Sequence, residues 1–257
     1  MKKIRIYTAA ILFILIYNSC QESVKNDTMV VATNSWTAAF AKAAGAKNMV
    51  ILAPAEMAHP AEYELRAVDI PLVMHAKVII YAGYETMINR MQSGMELKKE
   101  VLLKIETDYD MATIEKSVME IAQRLGTEKI ALQNIDSIRH LLLEGRAQFD
   151  KTGLNAAPII VNYFQQSIVK EMGFTVAGVF GPASLEAVDI DRLVRLSSTI
   201  IVDNEHNPVG KPIQKANSNL EYRQLINFPG LHQTTTLQEV IKYNILQLSS
   251  VAAKIGQ

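Results

Sequence analysis

Between residues 199 and 210 the chain reads TIIVDNEHNPVG. An apolar, β-branched run passes directly into Asp203, Asn204, Glu205, His206 and Asn207, and a Pro-Val-Gly turn closes it. A carboxylate and an imidazole three residues apart, at the end of a strand buried on both faces, form a natural donor set. Imidazole nitrogen and carboxylate oxygen are the ligands that zinc, manganese and iron accept. Asp and Asn are also turn formers that bond to their own backbone, and that reading applies with most force to Asn204 and Asn207. Asp203 and His206 fit it less well, because a buried carboxylate without a compensating partner is costly.

Other polar groups fall at comparable places. His59 stands in the loop after the apolar run MVILAP. Asn162 ends the run APIIV, and Asp108, in IETDYD, precedes a long helical stretch. In parallel α/β lobes ligands bind beyond the carboxyl ends of the strands. The candidate metal ligands are therefore His59, Asp203 and His206, with Asp108, Asn162 and Glu205 as secondary candidates. His75 and His140 read as solvated or packed histidines, and His232 follows the NFPG turn at a place that could line a cleft. The chain contains no HExxH, CxxC or GxSxG sequence and no phosphate-binding glycine loop, so no catalytic apparatus is expected.

These residues need elements to hold them. From Met29 short apolar runs alternate with helical patterns: MVVAT, then SWTAAFAKAAG with Ser35 expected as its cap, then MVILAP and KVIIYAG. From Asp110 to about Phe149 the pattern is helical throughout. It reads as one long helix weakened at Gly126, or as two. The alternation resumes with APIIVNYF, QQSIVKEMGF, TVAGVFGP, DIDRLVRLSS and TIIVDN. After RQLI and the NFPG turn, a final helix is expected behind a Thr235 or Thr236 cap. The expected fold is α/β: two lobes of parallel sheet flanked by helices, joined by a long helix, with a ligand cleft between the lobes. The expected boundaries are 29–109 for the first lobe, 110–150 for the linking helix and 151–257 for the second.

The first 20 residues read differently. MKKIR is a positive segment, and IYTAAILFILIYN is an apolar run too short for a comfortable membrane span. The single cysteine, Cys20, follows Ser19. This is the pattern of a bacterial lipoprotein signal, with Cys20 acylated and residues 21–28 a polar tether. With one cysteine no intramolecular disulfide is possible. The 257 residues are 49% hydrophobic and 20% charged, with 26 basic and 26 acidic groups. Removing Lys2, Lys3 and Arg5 with the signal leaves 23 basic against 26 acidic, which gives no reason to expect a nucleic-acid partner.

Taken together, VVATNSWTAAFAKAAG, HPAEYELRAVDIPLVMHAKVIIYAGYETMINRM, GFTVAGVFGP and IIVDNEHNP resemble the substrate-binding lipoproteins of metal ABC transporters. This is the zinc- and manganese-binding cluster often called the ZnuA or TroA type. The resemblance spans most of the chain beyond the signal. It implies a non-enzymatic carrier, periplasmic or at the cell surface, held at the membrane by a lipid anchor. Such a carrier is expected to be a monomer that delivers zinc or manganese to an ABC permease. That family uses three histidines and one carboxylate. Carried over, the pattern places His59 two residues early relative to Tyr63 and Glu64, Asp108 near the second histidine, Asn162 at the third and Asp203 at the carboxylate. His206 is then expected to supply a missing imidazole. A degenerate relative taking a chelated metal or another small solute, a surface adhesin, and an exported metallohydrolase are the alternative readings.

Overall fold

The structure is a computed structural model, and it describes residues 29–57, 59–95 and 97–255. The signal, Cys20 and the tether lie outside the described residues. Among those described, no helix is long and apolar enough to cross a membrane.

The first sheet holds β1 (Val30–Ala32), β2 (Met49–Ile51), β3 (Val78–Tyr81) and β4 (Leu102–Lys104) in the order β2-β1-β3-β4. The second holds β5 (Ile159–Asn162), β6 (Val176–Phe180), β7 (Ile200–Asn204) and β8 (Glu221–Leu225) in the order β6-β5-β7-β8. Every pairing is parallel, so each return to the sheet edge needs a crossover. The helices are α1 (Ser35–Ala43), α2 (Asp69–His75), α3 (Thr86–Gly94), α4 (Met111–Leu125), α5 (Glu128–Thr152), α6 (Gln166–Glu171), α7 (Ala187–Val194), α8 (Lys211–Ala216) and α9 (Leu237–Ile255). The two lobes repeat one strand order, and α4 and α5 run between them.

Alternation along the central strands decides which residues meet. Val30, Val78, Ile80, Ile159, Val161, Ile200 and Val202 face one continuous core that also takes in Phe40, Ile121, Ile138, Phe149 and Ile241. Val31 and Ile79 face a second core in the first lobe. Ile160 and Ile201 face a third in the second lobe. Each fully buried Val or Ile is worth roughly 1.5–3 kcal/mol relative to exposure. Because the first core passes through both lobes and the helices α1, α4, α5 and α9, the lobes are packed on shared material as well as tethered by chain.

The helical stretch after Asp110 is two helices. Gly126 ends α4 with φ 68°, the left-handed conformation that glycine adopts without steric penalty. The first cap differs from expectation. Asn34, not Ser35, caps α1: its Oδ1 accepts from Trp36 N and Thr37 N at 3.0 Å each. Ser35 is the first helical residue, and its Oγ donates instead to Pro229 O at 2.5 Å, across the lobes. At α9, Thr236 Oγ1 accepts from Glu239 N while the Glu239 carboxylate accepts from Thr236 N, a reciprocal capping box.

Candidate functional site

The loops after seven of the eight strands open onto one cleft of ≈ 400 Å³. Trp36 comes from the first turn of α1, after β1, and His59 and Glu62 from the loop after β2. Tyr84 follows β3, Phe164 follows β5 and Pro182 follows β6. His206 and Asn207 follow β7, and Asn227 and Phe228 follow β8. In each sheet the strand order reverses beside β1 or β5, which is where an open α/β sheet leaves a crevice at its carboxyl edge.

Two buried carboxylates brace the strand ends behind this cleft. Glu85, capping α3, accepts from Thr33 Oγ1 at 2.6 Å, Asn34 Nδ2 at 3.1 Å, Ala82 N at 2.9 Å and Gly83 N at 2.7 Å. Asp203 is fully buried. Its Oδ1 accepts from Asn162 Nδ2 at 2.9 Å and Asn204 N at 2.8 Å, and its Oδ2 from Gly210 N and Tyr222 Oη at 2.7 Å each. Burial, and after it this bond to Asp203, pushes the Tyr222 hydroxyl well above its ordinary pKa. The four donors provide the compensation that a buried carboxylate requires.

The structure thus separates the candidates named from the sequence. His59 and His206 line the cleft. Asp203 lies on the face of β7 that it shares with Ile201, turned toward the third core, and Asn162 is the group that bonds it. Glu205 points elsewhere. It accepts from Tyr243 Oη at 3.2 Å and pairs with His232 Nε2 at 2.8 Å, and the His232 ring stacks on Tyr243 at 4.3 Å. His232 is therefore held by Glu205 and is not among the cleft-lining residues. Asp108 accepts from Tyr109 N at 2.5 Å. Among the described residues no three His, Cys, Asp or Glu side chains converge as a metal cage.

What sequence reasoning did not bring to the cleft is its aromatic wall. Trp36 stacks on Tyr109 and tilts against Phe228, with ring centroids 6.1 Å apart in both pairs. Phe228 in turn stacks on His206 at 3.6 Å. Phe228 sits in the NFPG turn, and the only signal in the sequence was an aromatic residue beside a Pro-Gly pair. Several polar atoms here are buried: Trp36 Nε1 has no protein partner, and Asn227 Oδ1 and the ring nitrogens of His206 have none beyond each other. Neither His206 nitrogen is open to solvent.

Burial lowers the His206 pKa from 6.5 to about 4, with His232 adding to the effect and Glu205 and the Asn227 side chain opposing it. The ring is therefore neutral at pH 7 and needs no deprotonation to act as a ligand. The sign for stability follows. Above pH 6.5 the residue costs nothing, but as pH falls toward 4 the unfolded chain takes a proton that the folded chain refuses, so stability falls. Between about pH 7 and pH 5 this contribution should reach ~1 kcal/mol after solvent screening. His206→Phe, which keeps the stack on Phe228, should remove it. The check is thermal melting of both proteins at the two pH values. An equal loss of melting temperature in both would refute the assignment.

No protein-family model matches the chain, and no curated protein matches it. Solved structures do. The solute-binding protein FpvC of Pseudomonas aeruginosa, in complex with Mn2+, superposes with a TM-score of 0.65 at 18% identity, covering 88% of this chain and 96% of that one. The same protein with Ni2+ gives 0.64 at 18% identity, covering 88% and 95%. The Mn-bound periplasmic metal-binding protein of Candidatus Liberibacter asiaticus gives 0.63 at 12% identity, covering 88% and 99%. The chain has the two-lobed α/β fold of periplasmic metal-binding solute-binding proteins.

Proposed function

We propose that this protein is the solute-binding component of an ABC importer and that its solute is a divalent transition metal, captured in the cleft between the lobes. It would be exported and held at the membrane through an acylated Cys20, so that the loaded carrier stays near its permease. Two acyl signals or more make such an anchor stable. The observation that carries this reading is His206, a neutral, half-buried imidazole in a cleft formed by seven strand ends, with the Asn227 side chain as its one near polar partner. His59, exposed on the loop after β2, faces the same cleft and is the second donor. Asp203 is best read as a brace for the β7 end, since all its observed bonds are internal. The fold shared with manganese- and nickel-bound solute-binding proteins supports the same assignment. Neutral imidazole donors suit binding and release without turnover.

The test is elemental analysis of the chain exported to the periplasm of a Gram-negative host and purified without chelator. About one transition-metal equivalent per chain is expected. It should fall at least tenfold in His206→Ala and by a smaller factor in His59→Ala. A chain that arrives without metal, or a His206→Ala variant as fully loaded as the parent, would reject the assignment.

A further inference from the structure

The cleft is far larger than an ion needs. Its ≈ 400 Å³ falls in the range that holds small organic ligands, whereas one water-sized ligand occupies about 30 Å³. Its walls are mostly aromatic and aliphatic: Trp36, Pro60, Tyr84, Phe164, Pro182 and Phe228. Behind this apolar wall lie polar atoms that are closed to solvent in this structure. Trp36 Nε1 is a buried donor without a protein partner, and the His206 nitrogens and Asn227 Oδ1 are buried with no partner beyond each other. Asn227 itself is only 5% exposed. Buried polar groups are nearly always satisfied, so an indole N–H left without an acceptor beside this cavity marks a place where a ligand's acceptor belongs. A bare ion could answer the imidazole but not the indole N–H, which cannot coordinate a metal. Meanwhile the described residues bring no three strong donors together, so the protein alone leaves most of a four- to six-position coordination sphere unfilled.

We propose that the solute is a metal chelate: a divalent transition-metal ion already held by a small, π-rich organic chelator with nitrogen or oxygen donors. This rests on the metal-carrier reading above and specifies its solute. His206 fills a vacant position on the metal. The chelator's ring system lies against Phe164, Phe228 and Trp36, where stacked aromatic contacts add to simple burial. Its polar edge accepts from Trp36 Nε1. Aside from Glu62 at the exposed rim, the lining residues carry no fixed charge, which suits a complex of low net charge better than a free dication.

The test uses three probes on the chelator-stripped full chain, followed by native mass spectrometry and calorimetry: Zn2+ alone, 2,2′-bipyridine alone, and the preformed one-to-one Zn2+–bipyridine complex. The complex should bind one per chain at least tenfold more tightly than Zn2+ alone, and bipyridine alone should not be retained. His206→Ala should weaken the complex at least tenfold. Phe164→Ala, a change at a half-exposed position that should not disturb folding, should weaken the complex several-fold and leave Zn2+ unaffected. If Zn2+ alone binds as tightly as the complex and Phe164→Ala changes neither, the cleft takes a bare ion; the chelate proposal fails and the metal-carrier reading stands. If bipyridine alone binds as tightly as the complex, or none of the three probes is retained, the chelate proposal fails; if in addition the exported chain carries no metal, the carrier reading fails with it.

Discussion

Asp203→Ala should lower the stability of the metal-free protein by roughly 4 kcal/mol, a fall in melting temperature of about 10 °C. The carboxylate is the shared acceptor for Asn162 Nδ2, Asn204 N, Gly210 N and Tyr222 Oη. Truncation strips all four donors of their partner at once, within a site closed to solvent. Each buried, unsatisfied group costs about 1–3 kcal/mol, partly relieved by relaxation. Asp203→Asn should cost about half as much, since an amide keeps one acceptor oxygen but sets an NH2 group against donors on its other side. The two variants also separate a brace from a ligand. Removing a metal ligand leaves the metal-free protein as stable as the parent or more so, and weakens only metal binding. If metal-free Asp203→Ala melts within about 2 °C of the parent and its metal affinity collapses, Asp203 is a ligand and the hydrogen-bond account is wrong.

Gly230→Ala should be nearly as damaging, by roughly 3 kcal/mol, and should also weaken solute binding. Gly230 has φ 133°, a backbone conformation that L side chains rarely adopt. A Cβ there would be driven into the Ala55 carbonyl, 3.0 Å from its carbon. Ala55 follows β2 in the first lobe and Gly230 follows β8 in the second, so the glycine is where two loops of opposite lobes touch backbone to backbone. Relief requires the loops to separate. That shifts Pro229, whose carbonyl accepts from Ser35 Oγ, and with it Asn227 and Phe228 in the cleft wall. Differential scanning calorimetry gives the stability and small-angle scattering the lobe separation. Unchanged values for both would show that this contact does not hold the lobes together.

Much of this architecture was legible in advance because its signals are local. Short apolar runs such as VVAT, KVII and TIIV, each followed by a helical pattern, can only be satisfied by buried parallel strands with crossover helices. Gly126 marked a weak point in the linking segment, and the pair Thr235 and Thr236 marked the start of α9. The edge strands β4 and β8 were less visible, because a strand covered on one side needs no apolar run: Glu221–Leu225 reads EYRQL, and only Tyr222 and Leu225 are buried. The cap of α1 was displaced by one residue because Asn34 and Ser35 are both good caps. What decided between them was the Pro229 carbonyl, 194 positions away, which draws the Ser35 hydroxyl across to the other lobe.

By itself the sequence determined the fold class, the parallel strands, a helical linker with its weak point at Gly126 and the place of DNEHNP at a buried strand end, since each follows from hydrophobic period and backbone chemistry within a few residues. Tertiary structure alone decided the roles inside DNEHNP. Strand alternation turns Asp203 toward Tyr222 and the third core, while the turn after β7 sends Glu205 toward His232 and Tyr243 and leaves His206 stacked on Phe228 in the cleft. The physical reason is that a carboxylate or imidazole has one chemistry in the sequence and several in space. Whether it braces, pairs or waits for a solute depends on which distant donors, rings and carbonyls the packed lobes bring against it.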